Sequence, residues 1–243
     1  MRTVGIVGGL GPEATIDYYR LIIERYQSKC PHQGYPRILI NSIDMAGVLR
    51  MLGLDGLCEL EDLLCDAIER LARAGAEFAV IASNTPHLVF PAVRRRSSIP
   101  LISIVDVACA ASQRMHLRRL GLIGSRFTMQ KQFYRDVFTP AGIALVVPTK
   151  QEQEFIHDKY MTELVKAIIK PETREAFVGI AKRMMADERI DGLILGGTEL
   201  PLIFRQVADI GIPFLDTTEL HVDAIVESIV AGTRNEAYPG APL

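Results

Sequence analysis

The sequence predicts an α/β protein of two pseudosymmetric lobes, each a parallel sheet flanked by helices, with a cleft between them. Three observations predict this fold. Short β-branched runs alternate with amphipathic stretches along all 243 residues, which is typical of parallel strands covered by helices on both faces. The chain has no long polar linker. Two pairs of segments also repeat in the same order, at a spacing of about 115 residues.

The predicted elements follow from the hydrophobic periodicity and the helix boundary signals. Long helices are predicted over Pro12–Lys29, Gly56–Ala74 and Arg174–Asp187, and we expect the last helix, Thr217–Ala231, to cross back onto the first lobe. The lobes are therefore predicted as residues 1–105 with 217–243, and residues 106–216. The predicted strands are Thr3–Val7, Arg37–Asn41, Phe78–Ala82, Leu101–Ile104, Leu120–Ile123, Ala144–Val147, Gly192–Leu195 and Pro213–Leu215.

The internal repeat relates the two lobes residue by residue. Shared propensity of α/β units would explain one matching pair of segments, but not two pairs in the same order. The repeat makes the ends of two strands equivalent, Ser83-Asn84-Thr85 and Gly197-Thr198-Glu199. The matching segments are Val4–Gly9 with Ala14–Arg20 against Leu120–Ser125 with Met129–Arg135, and Gly75–Leu88 against Arg189–Leu202.

Composition excludes several classes of protein. Net charge is −2 and the pI is near 6.2, so we expect neither nucleic acid nor an anionic membrane as a partner. No apolar run approaches the ~20 residues of a membrane span, and the first residues are typical of a strand and a glycine turn, not of a signal peptide. The four cysteines lack CxxC spacing, which argues against a zinc ribbon and favours reduced thiols in the cytoplasm.

Ligands of open parallel sheets bind outside the carboxyl ends of the strands, so the two equivalent strand ends are the candidate site. Ser83 and Gly197 would face each other across the cleft. The glycine turn Gly8–Pro12 borders the same cleft and offers N–H groups at a helix start, which attract carboxylates. This predicts Leu10 and Gly11 as substrate contacts, although a tight β–α turn needs no ligand.

Three motifs make the sequence similar to the aspartate/glutamate racemase family over nearly its whole length. Gly8–Thr15 resembles the family's GGxGPxAT, Ser83–His87 resembles CNTxH, and Gly196–Pro201 resembles GCTELP. The resemblance implies a pseudosymmetric fold, a homodimer, and neither cofactor nor metal. It also implies two facing cysteines that exchange the α-proton of an acidic amino acid from opposite faces.

The sequence departs from this pattern at both cysteine positions, which hold Ser83 and Gly197. A thiol with a tuned pKa can take an α-proton, whereas a serine hydroxyl is a very weak acid and glycine has no side chain. The two-thiol exchange therefore cannot run. A variant with its thiols removed, a divergent enzyme, and a binding protein without activity all stay open. The intact residues around both positions favour the divergent enzyme.

Other side chains near the strand ends are candidates with alternative roles. Glu199 could act as a base if it points inward. The family resemblance implies a structural role for the acidic residue at this position instead. His87 is the candidate general base by its ordinary pKa, or a surface histidine. We predict Thr85, Thr198 and Asn84 as carboxylate contacts, and the alternatives are helix capping for the threonines and a turn for the asparagine.

Two cations are candidates for a further carboxylate contact because the resemblance places cations in these regions. Arg50 follows the second strand, within a poorly matching segment. Lys159 belongs to Phe155–Tyr160, which we predict to start the helix after the sixth strand, and a solvated helix face is an equally good interpretation.

Together these features predict a cofactor-independent isomerase of the racemase family that acts on a small carboxylate or amino-acid substrate, with chemistry altered by Ser83 and Gly197. The alternatives are a lyase or decarboxylase acting on a small carboxylic acid, and an inactive carboxylate-binding protein.

Overall fold

Two parallel four-stranded sheets form the framework of the computed structural model, which describes residues 1–54, 56–204, 207 and 210–231. All eight predicted strands are present, with small changes at their ends. The strands are β1 Val4–Gly8, β2 Ile38–Ser42, β3 Phe78–Ile81, β4 Leu101–Ile102, β5 Arg119–Gly124, β6 Ala144–Val146, β7 Gly192–Gly196 and β8 Phe214–Asp216.

The two sheets have the same topology, which confirms the two-lobed α/β prediction. The strand orders are β2-β1-β3-β4 and β6-β5-β7-β8. Val4 pairs with Phe78 in the first sheet, and Leu120 pairs with Gly192 in the second. Counted along the chain from the paired residues Phe78 and Gly192, Ser83 and Gly197 each stand five residues further on, so they are structurally equivalent strand ends.

Helices cover both faces of each sheet. Two short 3-10 segments, Thr85–Val89 and Leu164–Lys166, accompany them. The α-helices are α1 Pro12–Lys29, α2 Met45–Gly53, α3 Leu57–Arg73, α4 Phe90–Arg96, α5 Ile104–Arg114, α6 Arg126–Gln130, α7 Arg135–Phe138, α8 Lys150–Thr162, α9 Pro171–Glu188, α10 Leu200–Phe204 and α11 Thr217–Ala231.

Helix caps explain two of the differences between the predicted and the observed boundaries. The strand predicted over Leu101–Ile104 ends at Ile102 because the Ser103 hydroxyl accepts hydrogen bonds from the N–H groups of Val105 and Asp106 and starts α5. Helix α8 begins at Lys150, earlier than predicted, because Thr149 and Glu152 form a reciprocal capping box. Lys159 therefore lies in the last turn of α8 and not in its first.

Four apolar clusters build the core, one on each face of each sheet. In the first sheet, α1 and α11 cover one face, while α2, α3 and α4 cover the other. In the second sheet, α6, α8, α9 and α10 cover one face, and α5 and α7 cover the other. Helix α11 packs on the first sheet and contacts α5 beneath the second. The predicted first lobe also includes residues 232–243, which lie outside the described residues.

Candidate active site

A cavity of about 60 Å³ lies where strands of both sheets end, with space for a few water molecules. Its walls come from both lobes, since Leu10 follows β1, Ser83 follows β3, Ser125 follows β5 and Glu199 follows β7. The polar lining residues are Ser83, Thr85, Ser125, His157, Tyr160 and Glu199. The apolar lining residues are Leu10, Met45, Val48, Leu49, Leu52, Pro86, Phe127, Met161 and Val165.

The two equivalent strand ends differ in how they meet this cavity. Ser83 lines it directly, whereas Gly197 lies against the ring of Tyr160. A Cβ atom built on Gly197 would stand 2.6 Å from Tyr160 Cε2 and 2.8 Å from its hydroxyl oxygen. Tyr160 therefore occupies the space into which any side chain at position 197 would project, and its own ring forms the cavity wall there.

Glu199 points inward, as its predicted role as a base requires. Its Oε2 atom accepts hydrogen bonds from the Tyr160 hydroxyl and, at 2.9 Å, from Thr198 Oγ1. Its Oε1 atom approaches the glycine turn, since a Cβ built on Gly11 would stand 2.6 Å away. Burial raises the pKa of Glu199, and the hydrogen bonds from Tyr160 and Thr198 oppose the shift.

Burial raises the pKa of the Tyr160 phenol well above its ordinary value, and the neighbouring Glu199 charge adds to the shift. The phenol therefore stays protonated and donates a hydrogen bond to the Glu199 carboxylate. Thr198 does not line the cavity, and its hydroxyl donates a hydrogen bond to Glu199.

Asn84 and Thr85 connect the lobes. Asn84 Oδ1 accepts a 2.6 Å hydrogen bond from the Tyr134 hydroxyl, and Asn84 Nδ2 donates to Thr217 Oγ1 at 3.2 Å. Asn84 is buried and does not line the cavity. Thr85 does line it, and its hydroxyl lies 3.0 Å from the Ser125 hydroxyl of the other lobe.

The hydroxyl of Thr15 stabilises the glycine turn through two hydrogen bonds. Gly9 N–H donates to Thr15 Oγ1 at 2.9 Å, and that hydroxyl donates to the Gly11 carbonyl at 3.3 Å. Gly11 has φ +133°, a conformation that L side chains rarely adopt. Leu10 presents its side chain to the cavity, while Gly11 faces Glu199.

Comparison with known proteins decides the family. The Asp/Glu/hydantoin racemase family model matches residues 7–225. The chain belongs to this family. Membership supports an isomerase-type function, and the family resemblance read from the three sequence motifs is confirmed.

Curated relatives share sequence with this chain, and a solved structure shares its fold as well. An aspartate racemase homologue from Pyrococcus horikoshii OT3 is 33% identical with a TM-score of 0.82, covering 95% of this chain and 100% of that one. A glutamate racemase from Shewanella halifaxensis is 26% identical over 89% of this chain and 80% of its own length. A broad-specificity amino-acid racemase from Bacillus subtilis is 21% identical over 94% of this chain and 98% of its own length.

The two cations expected from the family resemblance do not line the cavity. The Arg50 side chain is 72% exposed and stands 3.9 Å from Asp44. Lys159 makes a 3.0 Å ion pair with Glu163, the C-cap residue of its helix. In α2, the buried residues Val48 and Leu52 define the inward face, which turns Arg50 outward.

His87 is buried away from the cavity lining, with both ring nitrogens occupied. Nε2 accepts a hydrogen bond from Ile104 N–H at 3.3 Å, so the proton is on Nδ1, which donates to the Ser83 carbonyl at 2.9 Å. Burial lowers the pKa of His87 to about 3. Through the Ser83 carbonyl, His87 holds the chain in place just after strand β3. These contacts do not support a role for His87 as the general base.

Sequence reasoning missed three polar lining residues, Ser125, His157 and Tyr160. The repeat contained a signal for Ser125, which follows β5 as Gly9 follows β1. The family resemblance singles out the segment Phe155–Tyr160 for Lys159, whereas helix α8 carries His157 and Tyr160 of that segment to the cavity.

Within the described ranges, no group of three or more His, Cys, Asp or Glu side chains is arranged to hold a metal ion. None of the helices in the same ranges is long and apolar enough to cross a membrane.

Proposed function

We propose that this chain is a cofactor-independent isomerase that moves the α-proton of a small carboxylic or amino acid. The observation that carries the proposal is the shared cavity, where Ser83 of one lobe and the Tyr160–Glu199 pair of the other meet at equivalent strand ends. A group able to move a proton therefore stands beside hydroxyl groups suited to hold a carboxylate. A homodimer and a reaction without cofactor stay predictions.

The lining supports a substrate with one carboxylate and an apolar side chain. Nine of the lining residues are apolar, and neither lysine nor arginine is among the fifteen. The hydroxyl groups of Ser83, Thr85 and Ser125 can donate to one carboxylate, but a second buried carboxylate would lack a cation, which is costly. We therefore expect aspartate and glutamate to be poorer substrates than leucine or methionine.

The test is α-proton exchange in D₂O, followed by ¹H NMR with L-alanine, L-leucine, L-methionine, L-aspartate and L-glutamate. Loss of the α-proton signal from the apolar acids supports the proposal. The control is Leu49→Trp, which fills the cavity from α2 and should abolish exchange, as residual exchange would reveal a contaminating enzyme. Absence of exchange with every acid would refute the proposed isomerase.

One observation favours a decarboxylase as a second candidate. The proton-moving pair stands on the second-lobe side of the cavity, while at Ser83 the histidine is hydrogen-bonded to the backbone carbonyl and not to the hydroxyl. A single proton donor suffices when a C–CO₂⁻ bond breaks, CO₂ leaves and the carbanion is protonated once. Release of CO₂ from 3-oxo acids that carry a single carboxylate, without exchange of amino acids, would establish this candidate.

A further inference from the structure

Tyr160 takes the place that a side chain at position 197 would have in the repeat. Its hydroxyl oxygen and ring carbon Cζ stand 2.8 and 3.0 Å from the Cβ position of Gly197. The phenol reaches this space from α8, and it lines the same cavity as Ser83. The second lobe therefore does place a polar group at the cavity, although position 197 has no side chain.

The phenol is coupled to a proton acceptor. Its hydroxyl donates to Glu199 Oε2, which Thr198 Oγ1 also contacts at 2.9 Å. Tyr160 and Glu199 are both buried and both line the cavity. The raised pKa of Glu199 brings this carboxylate nearer to the range in which general bases work at neutral pH. An isolated buried tyrosine would have no such route for its proton.

We propose that Tyr160 is the catalytic acid and base on the second-lobe face of the cavity, with Glu199 as its proton partner. This proposal rests on the proposed function. The substrate's α-C–H bond breaks and its proton passes to the Tyr160 oxygen, while the phenolic proton moves to Glu199 Oε2. The electron pair of the broken bond stays on the substrate, delocalised into its carboxylate. The proton on the Tyr160 oxygen exchanges with water through Glu199 before the carbanion is reprotonated, so the hydrogen that Tyr160 returns to the α-carbon comes from the solvent. Glu199 then gives a proton back to Tyr160.

Among the residues that the structure describes, no comparable pair stands at Ser83 on the opposite face. His87 bonds the Ser83 carbonyl, so it does not activate the Ser83 hydroxyl. A proton removed by Tyr160 is therefore returned by Tyr160 to the same face more often than Ser83 delivers one to the other. Solvent deuterium should enter the α-carbon with retention at least ~10-fold faster than the stereocentre inverts. A matched two-thiol site would give similar rates for both processes.

The experiment compares Tyr160→Phe and Glu199→Gln with Tyr26→Phe in the D₂O exchange assay, using L-leucine and L-methionine. Tyr26 is a matched control because it is also buried and its hydroxyl donates to Gln33 Oε1 at 2.9 Å, far from the cavity lining. We expect both cavity variants to lower kcat for exchange by ~100-fold or more while KM changes little, since positioned proton transfer supplies about that factor. Tyr26→Phe should exchange at the unaltered rate.

A second variant tests the same assignment if Tyr160→Phe does not fold. Incorporation of 3-fluorotyrosine at position 160 keeps the ring and the hydrogen bond but makes the phenol more acidic. The basic limb of the pH–rate profile should move to lower pH, which a merely structural role of Tyr160 would not cause. Exchange by Tyr160→Phe at the unaltered rate would overturn the Tyr160 assignment alone. Absence of exchange by the unaltered protein with every acid would overturn the proposed function as well.

Discussion

The contact between Gly197 and Tyr160 predicts that alanine at position 197 destabilises the fold. Carbon atoms in contact stand about 3.5–4.0 Å apart, whereas the new Cβ would stand 2.6 Å from Tyr160 Cε2. The ring is buried and bound to Glu199, so it cannot withdraw without losing that hydrogen bond. Overpacking of this kind costs about 1–3 kcal/mol. Gly197 does not have a positive φ, so backbone strain adds nothing to that cost.

Gly179 provides the control. It lies inside α9, and a Cβ built there meets nothing within 4 Å. Gly179→Ala should therefore stabilise the protein by ~0.5–1 kcal/mol, as alanine does in a helix interior. In urea, the free energies of unfolding of the two variants should differ by about 1.5–4 kcal/mol. This difference is calculated from the unfolding midpoints, with the m value unchanged.

A double-mutant cycle identifies the cause. In a Tyr160→Leu background the colliding ring is absent, so Gly197→Ala should lose most of its cost and show a coupling energy of about 1–3 kcal/mol. Two results would refute the reasoning. One is a Gly197→Ala variant as stable as the unaltered protein, and the other is an equal cost in both backgrounds.

The remaining predictions concern stability as well. Arg50→Ala should change the free energy of unfolding by less than ~0.5 kcal/mol in urea, because its contact with Asp44 is exposed, and a larger loss would reveal a buried role. Tyr134→Phe should cost about 1–3 kcal/mol in the same assay, since it leaves buried Asn84 Oδ1 without this donor; a neutral result would show that another donor replaces it. His221 has its pKa lowered to about 4 by burial, so the unfolded state binds its proton first. Stability should therefore fall as pH decreases from about 6.5 towards 4, and His221→Gln should flatten that fall in urea titrations made across this range.

The strand ends could be predicted from the sequence because backbone geometry fixes them. A buried β-branched run places its last residue at the edge of the sheet, and the internal repeat then makes Ser83 and Gly197 equivalent. Glu199 follows from the same logic, since it comes two residues after Gly197. These predictions needed only short-range pattern and parallel topology.

The side chains on helices were harder to predict because their direction depends on where each helix begins. The capping box at Thr149 sets the start of α8 and turns Ile156 and Tyr160 towards the core. Lys159, one position away, then pairs with Glu163. A shift of one residue in a helix rotates a side chain by about 100°, so a motif that locates the segment does not select which residue reaches the cavity.

The glycine at position 197 and the tyrosine at position 160 form one unit, and this changes how the site must be altered to test the family chemistry. Cysteines at positions 83 and 197 would not be enough to rebuild a two-thiol site, because a thiol at 197 would need the space of the Tyr160 ring. Removal of the ring would in turn leave Glu199 without its phenolic donor. Positions 83, 160 and 197 must therefore change together. The absence of a side chain at Gly197 is what allows the phenol, and with it a different proton-transfer group, to stand at the second strand end.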